Sequence, residues 1–377
     1  MTITPPGRPT RCVIDHRALR WNLKQLRAQV GPRVKILSMV KANAYGHGAV
    51  AVAKTLASAG SDAFGVATVE EGIELRQARI KQPILVVAGT YVEQLPELLQ
   101  HRLTPVLHEI ATLKALDQRL QQLKRTMAVE IEVDTGMGRI GFRGSEIDAW
   151  LPVLARLKAV KLQGVFSHFS DAESANEPYT KKQLNDFNRV LERLRAAKII
   201  HRASHMAKSA AIVTEPNAHL SMVRPGLALY GMYAAPGLRK QIELRPVLSW
   251  KTAIIQLKQV PAGTPIGYNR TFVTKKKTLI ATLPLGYADG YRRLFSNRAQ
   301  VLVRGQRAPV VGRVSMDLTT IDVTDIKNVQ QGDEVVLLGR QRSGIIGADE
   351  LASWANTISY EIFTSIGARV PRVHNFI

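Results

Sequence analysis

The stretch VKILSMVKANAYGHGAVAVAKTLASAG, residues 34–60, decides how the chain folds. Its first seven residues are a mostly apolar run, short enough for a strand and apolar on both faces. Small apolar residues at helical spacing then predict a helix over 49–59. A strand followed by a helix is half of a parallel crossover unit. Working outward, the same couplet recurs. Strands are predicted at 63–67, 83–88, 103–107, 127–133, 160–166, 201–206 and 220–223. Helices are predicted at 69–80, 92–100, 109–124, 145–157 and 181–197. About eight such alternations in roughly 200 residues predict a closed (β/α)8 barrel of the TIM type.

After Pro236 and Gly237 the rhythm changes. Strand-like runs at 248–260, 278–284, 299–303, 308–314 and 334–338 are separated by turn signals, and a last helix is predicted over 348–356. This pattern is mainly β. The expected organisation is therefore an N-terminal barrel, 1–237, and a C-terminal mainly β-strand domain, 238–377. No internal repeat is visible.

Composition limits the function classes. The chain has 377 residues, 45% hydrophobic and 22% charged, which is globular and not low-complexity. Its one cysteine, Cys12, excludes an intramolecular disulfide and a cysteine-based zinc site, and suits a reducing, cytoplasmic setting. The nine histidines show no metal spacing, so no metal is expected. No apolar run reaches the roughly 18 residues needed to span a bilayer. The opening MTITPPG lacks the pattern of a secretory signal. Fifty-two Lys and Arg against thirty Asp and Glu give a net charge of +22. Such a field attracts anions, but the basic residues are scattered. The densest run, Lys275-Lys276-Lys277, has no interleaved aromatics. The charge reads as a solvated surface, with no specific nucleic-acid partner expected.

Two motifs stand near strand ends. GMGRIG, 136–141, satisfies the dinucleotide pattern, but Asp134 precedes it and Arg139 lies within it, and its strand is not the first. It reads as a loop, not a pyrophosphate site. VKANAYGHG, 40–48, puts Lys41 directly after the first strand, at the barrel end where active sites lie. Apolar walls disfavour an ammonium there and make a nucleophilic amine accessible; a solvated strand-end lysine is the plainer role. Asp134, Arg139, Ser167, His168, Lys208, Ser209 and Arg224 close other strands. Together they suit a phosphorylated, carbonyl-bearing cofactor.

With these residues in view, the chain resembles the bacterial alanine racemases, pyridoxal phosphate enzymes of fold type III. The matching segments are VKANAYGHG at 40–48, DTGMGRIG at 134–141, VRPGLALYG at 223–231, GYADGY at 286–291 and VGRVSMD at 311–317. Ser359-Tyr360-Glu361 and the tail RVPR at 369–372 match too. The resemblance implies an isomerase that interconverts L- and D-alanine, supplying D-alanine for peptidoglycan. It implies a homodimer with shared active sites, and first residues that pair with the β-domain. Lys41 would hold pyridoxal phosphate covalently. Tyr45, Ser209, Tyr360 and the backbone near Gly226 and Leu227 would bind its phosphate. Arg224 would face the pyridine nitrogen, and His168 would bridge Arg224 and Tyr268. Arg139 would hold the substrate carboxylate. Tyr268, from the other subunit, would be the second base, with Met316 beside it. Tyr287 and Arg293 would line the entrance, and Glu132 and Asp317 would support the site.

The chemistry fits these roles. Two bases on opposite faces of a planar carbanion invert it without moving the substrate: Lys41 for D-alanine, Tyr268 for L-alanine. A guanidinium keeps its proton, so the pyridine nitrogen beside Arg224 stays unprotonated and transamination is disfavoured. Three positions depart from the family. Glu132 stands where a lysine, often carbamylated, is common; its carboxylate would supply the same charge to Arg139. Lys208 replaces an asparagine, and either adds a cation near the phosphate or points outward. Asn269 replaces a glycine, and tolerates a left-handed conformation. A broad-spectrum or serine- or lysine-preferring racemase is the alternative. A decarboxylase would favour an acidic partner over Arg224, and a barrel-only cofactor carrier would lack the β-domain.

Overall fold

A computed structural model describes residues 7–173 and 177–376. The opening MTITPP, part of the stretch read as lacking a secretory signal, lies outside the described residues. The chain divides into two compact units. One comprises Ala18–Ala44 and Ala49–Arg245; the other comprises Met1–Arg17, Tyr45–Gly48 and Pro246–Ile377.

The first unit is a closed parallel barrel. Its strands are β1 (Lys35–Met39), β2 (Ala63–Val66), β3 (Ile84–Val86), β4 (Thr104–Leu107), β5 (Met127–Asp134), β6 (Val160–Phe166), β7 (Ala203–Lys208) and β8 (Met222–Arg224). Each pairs in parallel with the next, and Met222 of β8 registers with Lys35 of β1 to close the ring. All eight strands fall where the alternation predicts them. Apolar runs become strands because both faces are covered: Ile36, Leu37, Ser38 and Met39 of β1 are all buried. Helix Ile110–Gln122 shows the complementary pattern, burying Leu113, Leu116 and Leu120 along one stripe.

The alternation does not reveal the helix His16–Val30. It buries Ala18, Leu19, Leu23, Leu26 and Val30, a narrow stripe among His16, Arg17, Arg20, Lys24 and Arg27. The basic and amide side chains between its apolar residues hide the stripe from a composition-weighted reading.

The second unit is built from strands. Its largest sheet runs in the order Gln306–Pro309, Gln300–Val303, Glu334–Gln341, Leu248–Ala253, Arg11–Asp15, Arg372–Asn375, with Gly344–Ile346 added to Glu334–Gln341. Arg11–Asp15 runs antiparallel to Leu248–Ala253 and parallel to Arg372–Asn375. A three-stranded sheet holds Gln256–Val260, Thr278–Leu283 and Thr319–Asp322. The single strand expected over 248–260 is two strands in different sheets. The amide of Ile254 bonds Asp333, whereas the amide of Ile255 bonds Thr282, so adjacent residues pass the chain between sheets. The strand expected over 308–314 is also shorter. It ends at Pro309, and the amide of Val314 turns to the Ser296 hydroxyl.

No helix among the described residues is long and apolar enough to cross a membrane. Among the same residues, no group of three or more His, Cys, Asp or Glu side chains is placed to hold a metal ion.

Candidate active site

Lys41 opens a turn of unusual hand. Ala42, Asn43, Ala44 and Tyr45 have φ of 52°, 53°, 52° and 52°, and Gly46 follows at 78°. A left-handed coil of L-residues costs roughly 1–2 kcal/mol per residue, so the surroundings must hold it. They do so with hydrogen bonds. The Ala44 amide donates to Val40 O at 2.8 Å. The Ala42 amide donates to Glu71 at 2.6 Å, and the other oxygen of that carboxylate receives the Ala67 amide at 2.7 Å. The Asn43 side chain receives the Ala49 amide at 2.7 Å. The turn leaves Lys41 half-buried just past the C-terminal end of β1. Burial first, then the cations of Arg139 and Arg224, lower its pKa; Glu71 and Glu132 oppose them. This environment loosens the ammonium proton and exposes a nucleophilic amine.

Arg224 closes β8 and is buried. One guanidinium nitrogen donates to His205 Nδ1 at 2.7 Å. The other donates to Ser167 O at 2.7 Å and to His168 Nδ1 at 3.2 Å. Its face lies 4.7 Å from the Phe166 ring centre. Burial pulls its pKa down to about 10, with Glu132 and Glu130 resisting, so it remains a cation at neutral pH. His168 is held neutral: burial, then Arg224, drives its pKa well down.

Along β5, Glu130, Glu132 and Asp134 alternate onto one face. Glu130 bonds His205 at 2.7 Å. Asp134 receives the amides of Gly136 at 2.8 Å and Gly138 at 3.1 Å, shaping the loop that carries Arg139. Gly141 has φ of 122°, and a Cβ there would lie 2.8 Å from the Asp134 amide, so the glycines of this motif serve loop packing. Arg139 itself is exposed. Glu132 is buried, and burial raises its pKa to about 7 against the pull of Arg224 and Arg139. It is thus an anion that titrates near neutrality, unlike a permanently charged carbamate.

Ser209 follows β7. Its hydroxyl oxygen receives the amides of Gly226 at 2.9 Å and Ala228 at 3.2 Å. Leu227 starts the short helical turn Leu227–Tyr230 that aims these amides. Lys208 forms an ion pair with Glu173 at 3.0 Å, and its cation also bears on His168.

The second unit carries the other residues. Tyr45 and Tyr360 stack obliquely with ring centres 6.0 Å apart, and burial, then Tyr360, pushes the Tyr45 phenol well above its ordinary pKa. Tyr268 sits at the tip of the hairpin Pro265–Ile266 and Phe272–Val273, with 68% of its surface exposed. Asn269 has φ of 57°, as the substitution of asparagine for glycine anticipates. Met316 and Tyr287 are exposed on one turn: the Ala288 amide bonds Met316 O at 3.0 Å. Asp317 bonds Arg369 at 2.5 Å, and Arg369 reaches the buried Asp289. Arg293 is exposed.

The barrel therefore gathers Lys41, Glu132, His168 and Arg224 at its strand ends, with Ser209 and Gly226 forming a second, adjoining cluster of donors. Glu71, Glu130 and His205 join the first group without having been singled out in the sequence. An open groove of about 960 Å³ lies beside it, between the Asp134 loop and the helices Ile147–Arg156 and Pro178–Ala196. Its lining includes charges paired with one another, Lys182 with Asp186 and Arg193 with Asp148.

A barrel that carries a strand-end amine with lowered pKa beside a buried cation has the design of a lysine-dependent carbonyl-cofactor enzyme. Comparison with known proteins narrows the class. The alanine racemase N-terminal domain family matches residues 14–234, and the C-terminal domain family matches 247–374. An alanine racemase from Halothermothrix orenii is 45% identical over 365 residues, 97% of this chain and 96% of that protein. One from Carboxydothermus hydrogenoformans is 42% identical over 97% of this chain and all of its own length. The Bacillus anthracis alanine racemase structure with bound L-Ala-P superposes with a TM-score of 0.93 at 35% identity, covering 99% of this chain and 96% of that one. The Bartonella henselae structure with covalently bound pyridoxal phosphate gives 0.89 at 31% identity, covering 98% and 100%. The chain belongs to the alanine racemase family.

Proposed function

We propose that this protein is a pyridoxal-phosphate-dependent alanine racemase that interconverts L- and D-alanine. The observation that carries the reading is Lys41, an amine of lowered pKa next to buried Arg224 in a chain of this family.

The residues present fit the cofactor. An aldehyde needs an amine that gives up its proton, which the surroundings of Lys41 favour. A phosphate needs oxygen-seeking donors, and the amides of Gly226 and Ala228 already converge on one oxygen, that of Ser209. Lys41 would hold the aldehyde carbon. Ser209, the backbone at Gly226 and Leu227, and the Tyr45–Tyr360 pair would hold the phosphate. When bound, pyridoxal phosphate withdraws electrons from the substrate Cα and acidifies its hydrogen.

The chain's own groups do the rest. Arg139 pairs with the substrate carboxylate and fixes the plane in which Cα sits. Lys41 Nζ takes or returns the proton on one face. Tyr268 of the partner subunit does so on the other, because the enzyme acts as a homodimer with shared sites. The exposure of Tyr268 and Met316 suits residues that complete a neighbouring site. Arg224, a cation at neutral pH, meets the pyridine nitrogen without offering it a readily lost proton. His168, neutral and bonded to Arg224, passes that cation's influence toward the phenol of Tyr268. Glu132 steers Arg139, Asp317 holds the Met316 turn through Arg369, and Tyr287 and Arg293 flank the entrance. D-alanine made in the cytoplasm would feed peptidoglycan synthesis.

The purified protein, supplied with pyridoxal phosphate, should turn yellow, lose that colour on borohydride treatment as the C=N bond to Lys41 is reduced to a permanent secondary amine, and interconvert L- and D-alanine faster than serine or lysine. A protein that stays colourless, or racemises no alanine, refutes the reading.

A further inference from the structure

The barrel interior holds a carboxylate that the racemase reading leaves without a task. Glu130, from β5, is 3% exposed, and Oε2 lies 2.7 Å from His205 Nε2. His205, from β7, is fully buried, and its Nδ1 lies 2.7 Å from a guanidinium nitrogen of Arg224. Three side chains from three strands form one line: carboxylate, imidazole, guanidinium.

The line admits one arrangement of hydrogens. A guanidinium only donates, so His205 Nδ1 accepts and carries no proton. Nε2 then bears the hydrogen and donates it to Glu130, which as a carboxylate only accepts. Phe166 fixes the ring plane, stacked on His205 with centres 4.9 Å apart and planes 17° apart. The carboxylate also has a reserved space. A Cβ on Gly164 would lie 2.4 Å from Glu130 Cδ, so any larger residue on β6 would displace the carboxyl group from this position.

We propose that Glu130 is a positioning residue for the racemase reaction: by fixing the His205 tautomer, it holds the Arg224 guanidinium where it meets the cofactor ring. This rests on the function proposed above. Without Glu130, the imidazole is free to move its proton to Nδ1. An N–H would then face the arginine, and the guanidinium would have to turn away. Glu130 acts through His205 and Arg224, so its loss should weaken turnover more than substrate binding.

The test compares wild type, Glu130→Met and Gly164→Ala as cofactor-loaded proteins; methionine keeps the volume and removes the acceptor. In wild type, histidine-selective 15N NMR should show one imidazole with a slowly exchanging Nε2 proton, which His205→Asn removes. In Glu130→Met that proton should lose protection by about tenfold or more. The kcat for alanine should fall by about tenfold while KM stays within about twofold, and the fraction of turnovers ending in transamination should rise. Gly164→Ala, which crowds the carboxylate, should do the same, and the double variant should be no worse than either single one. Wild-type kcat and transamination in Glu130→Met, or an unchanged Nε2 proton, would overturn the proposal, as would additive effects in the double variant. A wild type that binds no pyridoxal phosphate would instead refute the underlying function.

Discussion

Glu71 receives the backbone amide of Ala42 at 2.6 Å, at the first left-handed residue after Lys41. The same carboxylate receives the Ala67 amide, so it ties the end of β2 to the turn at the end of β1. The strain of the turn is thus balanced by a residue from a neighbouring crossover helix, Val69–Gln77. Relieving that strain should show directly. Ala42 is exposed, and Ala42→Gly removes a Cβ from a left-handed position. Urea unfolding of the cofactor-free protein should show a gain of up to about 1 kcal/mol. Glu71→Gln should cost about 1–2 kcal/mol in the same assay.

Arg224→Lys tests the guanidinium. A lysine cannot serve His205, Ser167 and His168 together. We expect kcat to fall by about 10–100-fold, with a larger share of turnovers yielding pyruvate. Racemisation at the wild-type rate with no added pyruvate would show that any buried cation suffices.

Glu132 gives the enzyme a pH dependence in the neutral range. Its folded pKa, raised by burial to about 7, exceeds its ordinary value of 4.5. Its contribution to stability is therefore fully present below about pH 4.5 and is lost as pH rises through 7. The swing is on the order of 3 kcal/mol. Glu132→Gln should flatten the stability profile between those pH values. The same variant should raise KM for alanine most above pH 7, where the wild-type carboxylate is charged and steers Arg139. Thermal melts and KM measured across pH 5–9 check both effects.

Tyr268→Phe separates the two bases. Because Tyr268 is 68% exposed, its hydroxyl can be removed with little effect on the fold. In heavy water, the variant should still exchange the α-hydrogen of D-alanine through Lys41. Exchange from L-alanine, and racemisation, should fall by at least about 100-fold. Equal exchange from both enantiomers would argue for a single base.

The buried Asp289 accepts bonds from Arg8, Arg369 and the Gly286 amide. Although burial opposes it, these bonds pull its pKa below the usual carboxylate range. Its stabilisation is present above the ordinary carboxylate pKa and is lost as pH falls further. Asp289→Asn should cost about 3 kcal/mol near neutral pH and progressively less as pH falls below the ordinary carboxylate pKa toward the lowered folded one, measured by urea unfolding at each pH.

The barrel was legible because each strand is an apolar run long enough to be buried on both sides. Lys41 stood out because a cation directly after such a run is conspicuous. Glu130 and His205 did not, although VEIEVD does contain a clue. Carboxylates at alternate positions 130, 132 and 134 share a face, and a strand buried on both sides has no solvent to give them. What the sequence lacks is the partner: His205 lies 75 residues further on, joined to Glu130 only by barrel closure. The left-handed turn was hidden for another reason. Ala42, Ala44 and Tyr45 are not residues that favour positive φ, and the bonds from Val40, Glu71 and Asn43 hold it. The bond between His168 and Arg224 is one half of the bridge to Tyr268 that the family resemblance implies, and Arg139 bears on Glu132 through its charge.

The missing side chain at Gly164 reaches beyond the present protein. Because the carboxyl group of Glu130 fills the space a methyl would need, a side chain at 164 and the present placement of that carboxyl group exclude each other. The two positions should therefore change together among related chains, glycine at 164 going with a long acidic side chain at 130.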